Sequence, residues 1–304
     1  MTSEQQTSPF FEPQLLAGLE RMRFTTRRAV EGAYAGRHIA RRIGGAGEFV
    51  DYREYSPGDD LRRVDWRVMA RTGRTYLKLF QDETDLRCTM VLDVSGSMAQ
   101  GARSPKDTTG SKLAWAQYLT TALSHLIILE RDAVGLATVR EKLIDYTEPS
   151  SSFQQRPILH QQIATLRPVG SSDLARGLDD LLLRVRRRGV LFLVSDFLVD
   201  SMDRLVSSLR KYRELGWELI CIHVVHPDEE QLPTGVAFRF QGLEADGELN
   251  CQVTELRAAY QQRFARHLAA TRAALLGLGC DYYLAHTQLG YLQLLKTFLV
   301  LRSA

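Results

Sequence analysis

The run Met90-Val91-Leu92-Asp93-Val94-Ser95-Gly96-Ser97-Met98 carries an apolar strand pattern straight into three oxygen donors on one tight turn. One carboxylate and two hydroxyls at the spacing Asp93-x-Ser95-x-Ser97 suit a hard divalent cation. Mg²⁺ favours oxygen ligands in octahedral geometry and keeps part of its water shell, which leaves coordination positions open to a partner; Mn²⁺ or Ca²⁺ would accept the same donors. D-x-S-x-S is short enough to arise by chance, so its surroundings carry the weight. Downstream, Val169-Gly170-Ser171-Ser172-Asp173-Leu174 is a polar loop opening a helix, and Leu191-Phe192-Leu193-Val194-Ser195-Asp196 is a second apolar run ending in a carboxylate. The candidate set is thus Asp93, Ser95, Ser97, Ser172 and Asp196. Asp173 is a second-choice ligand, because a carboxylate there also favours the positive N-terminus of the following helix. A reading without any ligand has Ser95 and Ser97 capping a helix and Asp93 closing a strand-end turn.

Bringing those residues together demands a particular arrangement of elements. Apolar runs at 87–93, 133–139, 190–195 and 218–225 predict strands, with a short one near 143–146. Leu113, Ala116, Leu119, Leu123, Leu126 and Ile127 recur at intervals of three and four, which predicts a helix over 112–129. Further helices are expected over 158–166, 174–187, 202–215 and 255–276, then a strand over 281–285 and a closing helix. Strands alternating with helices imply βαβ units and a mainly parallel sheet, so the fold class is α/β. In such sheets ligands bind outside the carboxyl ends of the strands, where Asp93 and Asp196 would lie side by side. Asp246-Gly247, between 236–240 and 249–253, signals a β-hairpin that interrupts this rhythm. The hairpin is expected to pack with strands near 49–52 and 76–80 as a small β layer. Arg184, Arg186, Arg187 and Arg188 are expected to close the 174–187 helix, as cations at the negative end of its dipole.

Asp93-x-Ser95-x-Ser97, then Ser172, then Asp196, resemble the metal-ion-dependent adhesion site of von Willebrand factor A domains. That family takes D-x-S-x-S from its first loop, a Thr from the second and an Asp from the third. Ser172 keeps the hydroxyl of the usual Thr and lacks the methyl that restricts its rotamer. Phe197 stands where many A domains have Gly. Upstream, the stretch from Gly47-Glu48-Phe49 through Arg53, Tyr55, Gly58-Asp59, Arg62 and Asp65-Trp66 to Ala70-Arg71 resembles E-F-x-x-x-R-x-Y-x-x-G-D-x-x-R-x-I-D-W-x-x-x-A-R, with Val64 at the Ile position. This is the signature of the bacterial family called domain of unknown function 58. The similarity runs from Ile43 to Arg302. It implies a signature segment over 43–85 and a von Willebrand factor A-like domain over 86–304 that carries the hairpin of 236–253 as an insertion; the basic residues ahead of it read as a helical N-terminal segment over 1–42. Within the signature, Glu54, Asp59, Asp60 and Asp65 interleave with Arg53, Arg62, Arg63, Arg67 and Arg71 among Tyr52, Tyr55 and Trp66. Arg to carboxylate hydrogen bonds clamped by aromatic packing are expected there, as a structural lock rather than a catalytic device.

With 44% hydrophobic and 25% charged positions in 304 residues, the chain has an ordinary globular composition. Its formal net charge of +3 gives little reason to expect nucleic acid as the partner. Basic residues crowd only locally, at Arg21, Arg23, Arg27, Arg28, Arg37, Arg41 and Arg42, where a solvated helix face is the expectation. Cys88, Cys221, Cys251 and Cys280 show no C-x-x-C spacing and read as core thiols of a reducing compartment. The longest greasy stretches, 119–129 and 291–301, are interrupted and too short to span a bilayer, so a cytoplasmic location is expected. Members of the resembled family often carry transmembrane helices ahead of the signature; only residues 1–42 stand there in this chain.

Catalysis is poorly supported. Phosphatases of the haloacid-dehalogenase type use D-x-D, and Ser95 replaces the second Asp; no G-x-x-x-x-G-K-[ST] loop exists, and Val94-Ser95-Gly96-Ser97-Met98 is not G-x-S-x-G. The expectation is a non-enzymatic, metal-dependent interaction module, in which an acidic residue of a client protein completes the metal. The family resemblance implies a MoxR-type AAA+ ATPase as co-worker, in assembling or activating another complex. The alternatives are a membrane- or nucleic-acid-associated scaffold acting through the N-terminal arginines, and a metal-dependent hydrolase.

Overall fold

The computed structural model describes residues 8–19, 48–55, 64–81, 86–104, 106–231, 237–241 and 248–303. The chain forms two compact units, one of Glu31–Asp85 and one that joins Met1–Val30 to Leu86–Ala304. A one-turn helix, α1 (Pro13–Leu16), precedes the smaller unit, which contains β1 (Glu48–Glu54), α2 (Trp66–Thr72) and β2 (Tyr76–Gln81). The larger unit resumes with β3 (Arg87–Asp93), a 3-10 turn (Gly96–Ala99), α3 (Lys112–Leu129), β4 (Ala133–Val139) and β5 (Leu143–Ser150). Then come α4 (Gln155–Thr165), α5 (Leu174–Leu182), β6 (Val190–Ser195), α6 (Met202–Glu214), β7 (Glu218–Val225) and α7 (Pro227–Glu230). The chain closes with β8 (Ala237–Gln241), β9 (Glu248–Gln252), α8 (Val253–Gly277), β10 (Asp281–His286) and α9 (Tyr291–Ser303).

The expected α/β architecture is present as a six-stranded sheet in the order β10-β7-β6-β3-β4-β5. Every neighbouring pair is parallel except β4 and β5. β4, β6 and β7 are buried along their whole length, as continuous Val, Leu, Ile and Phe runs require when helices cover both faces. From β3 the chain steps outward to β4 on one side and later returns to lay β6 on the other. The order therefore reverses at β3, and the crevice beyond its carboxyl end is the place where this fold class binds. β5 runs on to Ser150 beyond its predicted end at 146, and it tolerates Pro149 because it is the edge strand.

One expectation needs correction. α5 stops at Leu182, so Arg184, Arg186, Arg187 and Arg188 lie past the helix rather than in its last turn. Its buried stripe of Leu174, Leu178 and Leu181 ends there, and Leu183 is 87% exposed, so nothing apolar remains to hold another turn on the sheet. The hairpin signalled by Asp246-Gly247 is present as the antiparallel pair β8–β9, and β1–β2 is a second two-stranded ladder in the smaller unit. Strands close in sequence pair with each other because the loop that joins them costs little entropy to close.

In the smaller unit Asp65 caps α2, its Oδ1 accepting from the N–H groups of Arg67 at 2.9 Å and Val68 at 3.2 Å. Arg74 and Glu54 form an exposed ion pair at 3.8 Å. Signature residues 56–63 and the arginine-rich stretch 20–42 fall outside the described residues. Residues 8–19 pack on the larger unit: Phe10 meets Tyr118 edge-on at 5.0 Å, Phe11 lies 4.7 Å from the His125 ring, and Tyr291 Oη donates to Glu12 Oε2 at 2.7 Å. Cys88, Cys221 and Cys280 are buried free thiols. Among the described residues no helix is long and apolar enough to cross a membrane.

Candidate metal centre

Asp93 is the last residue of β3, at the reversal point, and is 1% exposed. Its Oδ1 accepts from the Ser95 N–H at 2.9 Å, the Asx turn that bends the chain into the 3-10 turn. Its Oδ2 accepts from the Ser195 hydroxyl at 2.7 Å. The hydroxyls of Ser95 and Ser97 lie 3.2 Å apart, and Ser95, at the N-cap position of the 3-10 turn, makes no side-chain capping hydrogen bond. Asp196 follows β6; its Oδ1 accepts from Leu198 N at 3.1 Å and its carboxylate also accepts from the Ser97 hydroxyl. Four of the five candidate residues thus touch one another directly.

Ser172 arrives by a different route. Gly96 N donates to Gly170 O at 2.7 Å and Val169 N to Val94 O at 3.0 Å, which ties its loop to the D-x-S-x-S loop. Gly170 turns this loop at a φ of 76°, a backbone conformation open to glycine and strained for most residues. Asp173 N is bonded to Arg140 O at 2.8 Å. Ser172 Oγ is shut off from solvent and has no hydrogen-bond partner. Asp173 points elsewhere: it caps α5 through Arg176 N at 3.1 Å and pairs with Arg204 at 3.1 Å. This is the helix-capping role weighed against ligation for that residue.

Phe197, at the position where many A domains carry Gly, has a φ of 52°. This is the left-handed region that a bulky residue enters only when its surroundings hold it there. The ring is fully buried, 5.2 Å from His223 in an edge-on contact, and the Phe197 N–H donates to Ser195 Oγ at 2.9 Å. Ring burial and that hydrogen bond offset the backbone cost.

Three groups at this site escaped the reading of the sequence. Lys112, the first residue of α3, is 0% exposed, and its ammonium donates to Asp196 Oδ2 at 2.6 Å and to Glu229 Oε1 of α7. Glu229 is held in turn by the His226 N–H, which donates to Oε2 at 2.9 Å. Ser195 is the third. A lysine at the head of an otherwise apolar helix was the available signal; nothing in sequence spacing marked Glu229.

The electrostatics follow from burial. Desolvation, with Asp196 beside it, pushes the Asp93 carboxyl up to about 6. Burial would push Asp196 up as well, but the Lys112 ammonium overrides it and holds that carboxyl below the usual range. Desolvation raises Glu229 despite the same ammonium. Burial lowers the neighbouring His223 to about 3, so it carries no charge at neutral pH. The Lys112 ammonium is shared by Asp196 and Glu229, and Asp93 is bonded only to neutral donors, so the buried cluster holds more carboxylates than cations, a balance that a divalent ion would offset. The orphaned Ser172 hydroxyl and this uncompensated charge both fit such an ion. Among the described residues no group of three or more His, Cys, Asp or Glu side chains is arranged to ligate a metal, so the hydroxyls would have to supply the contacts.

Similarity to solved structures is broad and shallow. The conserved hypothetical protein BatB from Bacteroides thetaiotaomicron is 14% identical with a TM-score of 0.45, over 72% of this chain and 98% of that one. An aerotolerance-related membrane protein from Bacteroides fragilis is 13% identical with a TM-score of 0.48, over the same shares. The SpRpn10 VWA domain is 13% identical with a TM-score of 0.40, over 70% of this chain and 94% of that one. Uncharacterized proteins of Mycobacterium tuberculosis and Mycobacterium bovis are 26% identical over 283 residues, covering 89% of this chain and 86% of theirs. Residues 51–270 match the model described as protein of unknown function DUF58, and the chain belongs to that family.

Proposed function

We propose that this protein is a non-enzymatic, divalent-metal-dependent protein-interaction module. Two observations support the reading: the Ser172 hydroxyl is orphaned in a loop hydrogen-bonded to the D-x-S-x-S loop at Val94 and Gly96, and, among the described residues, the carboxylates Asp93, Asp196 and Glu229 outnumber the one ammonium buried with them, Lys112. Ser95, Ser97 and Ser172 would hold the ion through their hydroxyls, while Asp93 and Asp196 balance its charge. Mg²⁺ suits this hard-oxygen set, with Mn²⁺ and Ca²⁺ as substitutes; when bound it supplies Lewis acidity and an exchangeable position for a partner's carboxylate. The chain's own part is to orient: Ser195 and the Ser95 N–H fix Asp93, and Leu198 N and Lys112 fix Asp196. The family resemblance makes a MoxR-type AAA+ ATPase the first partner to test, with the client complex following from it.

The test combines ion binding with partner binding. Mn²⁺ should bind the wild-type protein and fail to bind Asp93→Ala, as measured by the paramagnetic signal of free Mn²⁺. Retention of a purified MoxR-type ATPase from the same organism should need Mg²⁺, and both EDTA and Asp93→Ala should abolish it. Retention that survives both treatments would overturn the metal-dependent reading.

A further inference from the structure

An ammonium with no solvent exposure is costly and keeps its charge only where carboxylates surround it. Lys112 has two such partners on separate elements, Asp196 beyond β6 and Glu229 on α7. Asp93 takes no part in holding it, since its oxygens accept from Ser95 N and Ser195 Oγ. The ammonium thus occupies one side of the carboxylate that the adhesion-type site needs for its ion. Glu229 is clamped by the capping box of α7, with the His226 N–H at 2.9 Å, so it is held independently of Asp196. Other titratable groups around the cluster include His223 and His267, which burial pushes below the ordinary imidazole range, and Tyr260, which burial pushes up; His226 and Asp228 of the capping box pair with each other at 3.4 Å. None of His223, His267 and Tyr260 contributes charge at neutral pH. The balance rests on Lys112, Asp196, Glu229 and Asp93.

We infer that Lys112 is a built-in competitor of the divalent ion for Asp196, and that Glu229 sets the strength of that competition by sharing the ammonium. This deepens the proposed metal-dependent reading and rests on it. The lysine neutralises Asp196 when no ion is bound, which lets two buried carboxylates fold side by side. It also weakens the ion's hold on Asp196, so that the hydroxyls and an incoming carboxylate carry more of the coordination. Helix α7 follows directly on β7, so a partner that displaced Glu229 would move the ammonium toward Asp196 and lower ion affinity.

The test is Mn²⁺ affinity, measured by the signal of free Mn²⁺, in wild-type protein, Lys112→Met, Glu229→Gln and the double variant, each checked for folding by circular dichroism. Lys112→Met removes the competing charge and should tighten binding by about tenfold or more, the size of effect typical of groups that orient metal ligands. Glu229→Gln leaves the ammonium wholly to Asp196 and should weaken binding several-fold. Where Lys112→Met fails to fold without ions, the double variant keeps the local charge unchanged and should still bind more tightly than wild type. Equal affinities in wild type, Glu229→Gln and the double variant would overturn the inference and leave the metal-dependent reading standing. No binding to any folded variant would overturn both.

Discussion

The Ser195 hydroxyl donates to Asp93 Oδ2 at 2.7 Å, joining the carboxyl ends of two parallel neighbours at the point where the sheet order reverses. The same oxygen accepts from Phe197 N at 2.9 Å, so one serine sets both the candidate metal carboxylate and the left-handed turn behind it. Ser195→Ala should leave a buried carboxylate oxygen without its donor and cost about 1–3 kcal/mol of stability. Urea unfolding at pH 7 measures this, and an unchanged midpoint would show that the bond contributes nothing net.

Phe197→Gly separates backbone strain from ring burial. Glycine would relieve a left-handed φ worth roughly 1 kcal/mol or more, whereas loss of a buried aromatic ring costs about 3–5 kcal/mol. The ring should win, and the variant should be less stable by roughly 2–4 kcal/mol on those figures. A variant as stable as wild type would mean that the strain equals the packing, which thermal denaturation would reveal.

His160 provides the pH dependence. Burial, then the neighbouring His125 and Arg156, lower it from 6.5 to about 4. Its ring stands 5.0 Å from Phe11, part of the N-terminal segment docked on α3 and α4. The unfolded chain binds a proton at this position between pH 6.5 and 4 and the folded chain does not. Its stabilising contribution is complete above the unfolded value and is lost as pH falls through that window. Wild-type protein should lose urea resistance from pH 7 to pH 4.5 more steeply than His160→Phe. Parallel slopes would remove His160 as the cause.

Arg302, in the last turn of α9, is buried between Glu218 at the start of β7 and Asp281 at the start of β10. Removing one partner of a buried pair leaves uncompensated charge, so Arg302→Met should destabilise by about 3–5 kcal/mol. Mn²⁺ affinity should be unchanged, because these residues lie at the amino ends of the strands, opposite the site. A stable variant would show that the buried residues Tyr291, Leu295, Phe298 and Leu299 hold the C-terminal helix without it.

Much of the architecture was legible because its signals are local. The strands of 87–93, 133–139, 190–195 and 218–225 are uninterrupted apolar runs, and Leu113 to Ile127 repeats at helical spacing; both patterns survive without knowledge of neighbours. Asp93, Ser95 and Ser97 were legible as a set because three donors within five residues share one turn. The end of α5 was not, since it depends on which leucines reach the sheet, and Leu183 does not. The hairpin β8–β9 was legible because Asp246-Gly247 is a local turn signal between two short apolar runs.

What the sequence determined by itself was the α/β class, the order of the donor-bearing loops and the membership of Asp93, Ser95, Ser97, Ser172 and Asp196 in one candidate set. The tertiary structure alone decided that β6 lies beside β3, that Ser195 faces Asp93, and that Lys112 reaches both Asp196 and Glu229 across separations of 84 and 117 residues. The physical reason is range. Hydrophobic periodicity and turn chemistry act between residues a few positions apart, whereas the sharing of a buried charge is set by whichever groups the folded sheet and helices carry into the same water-free space.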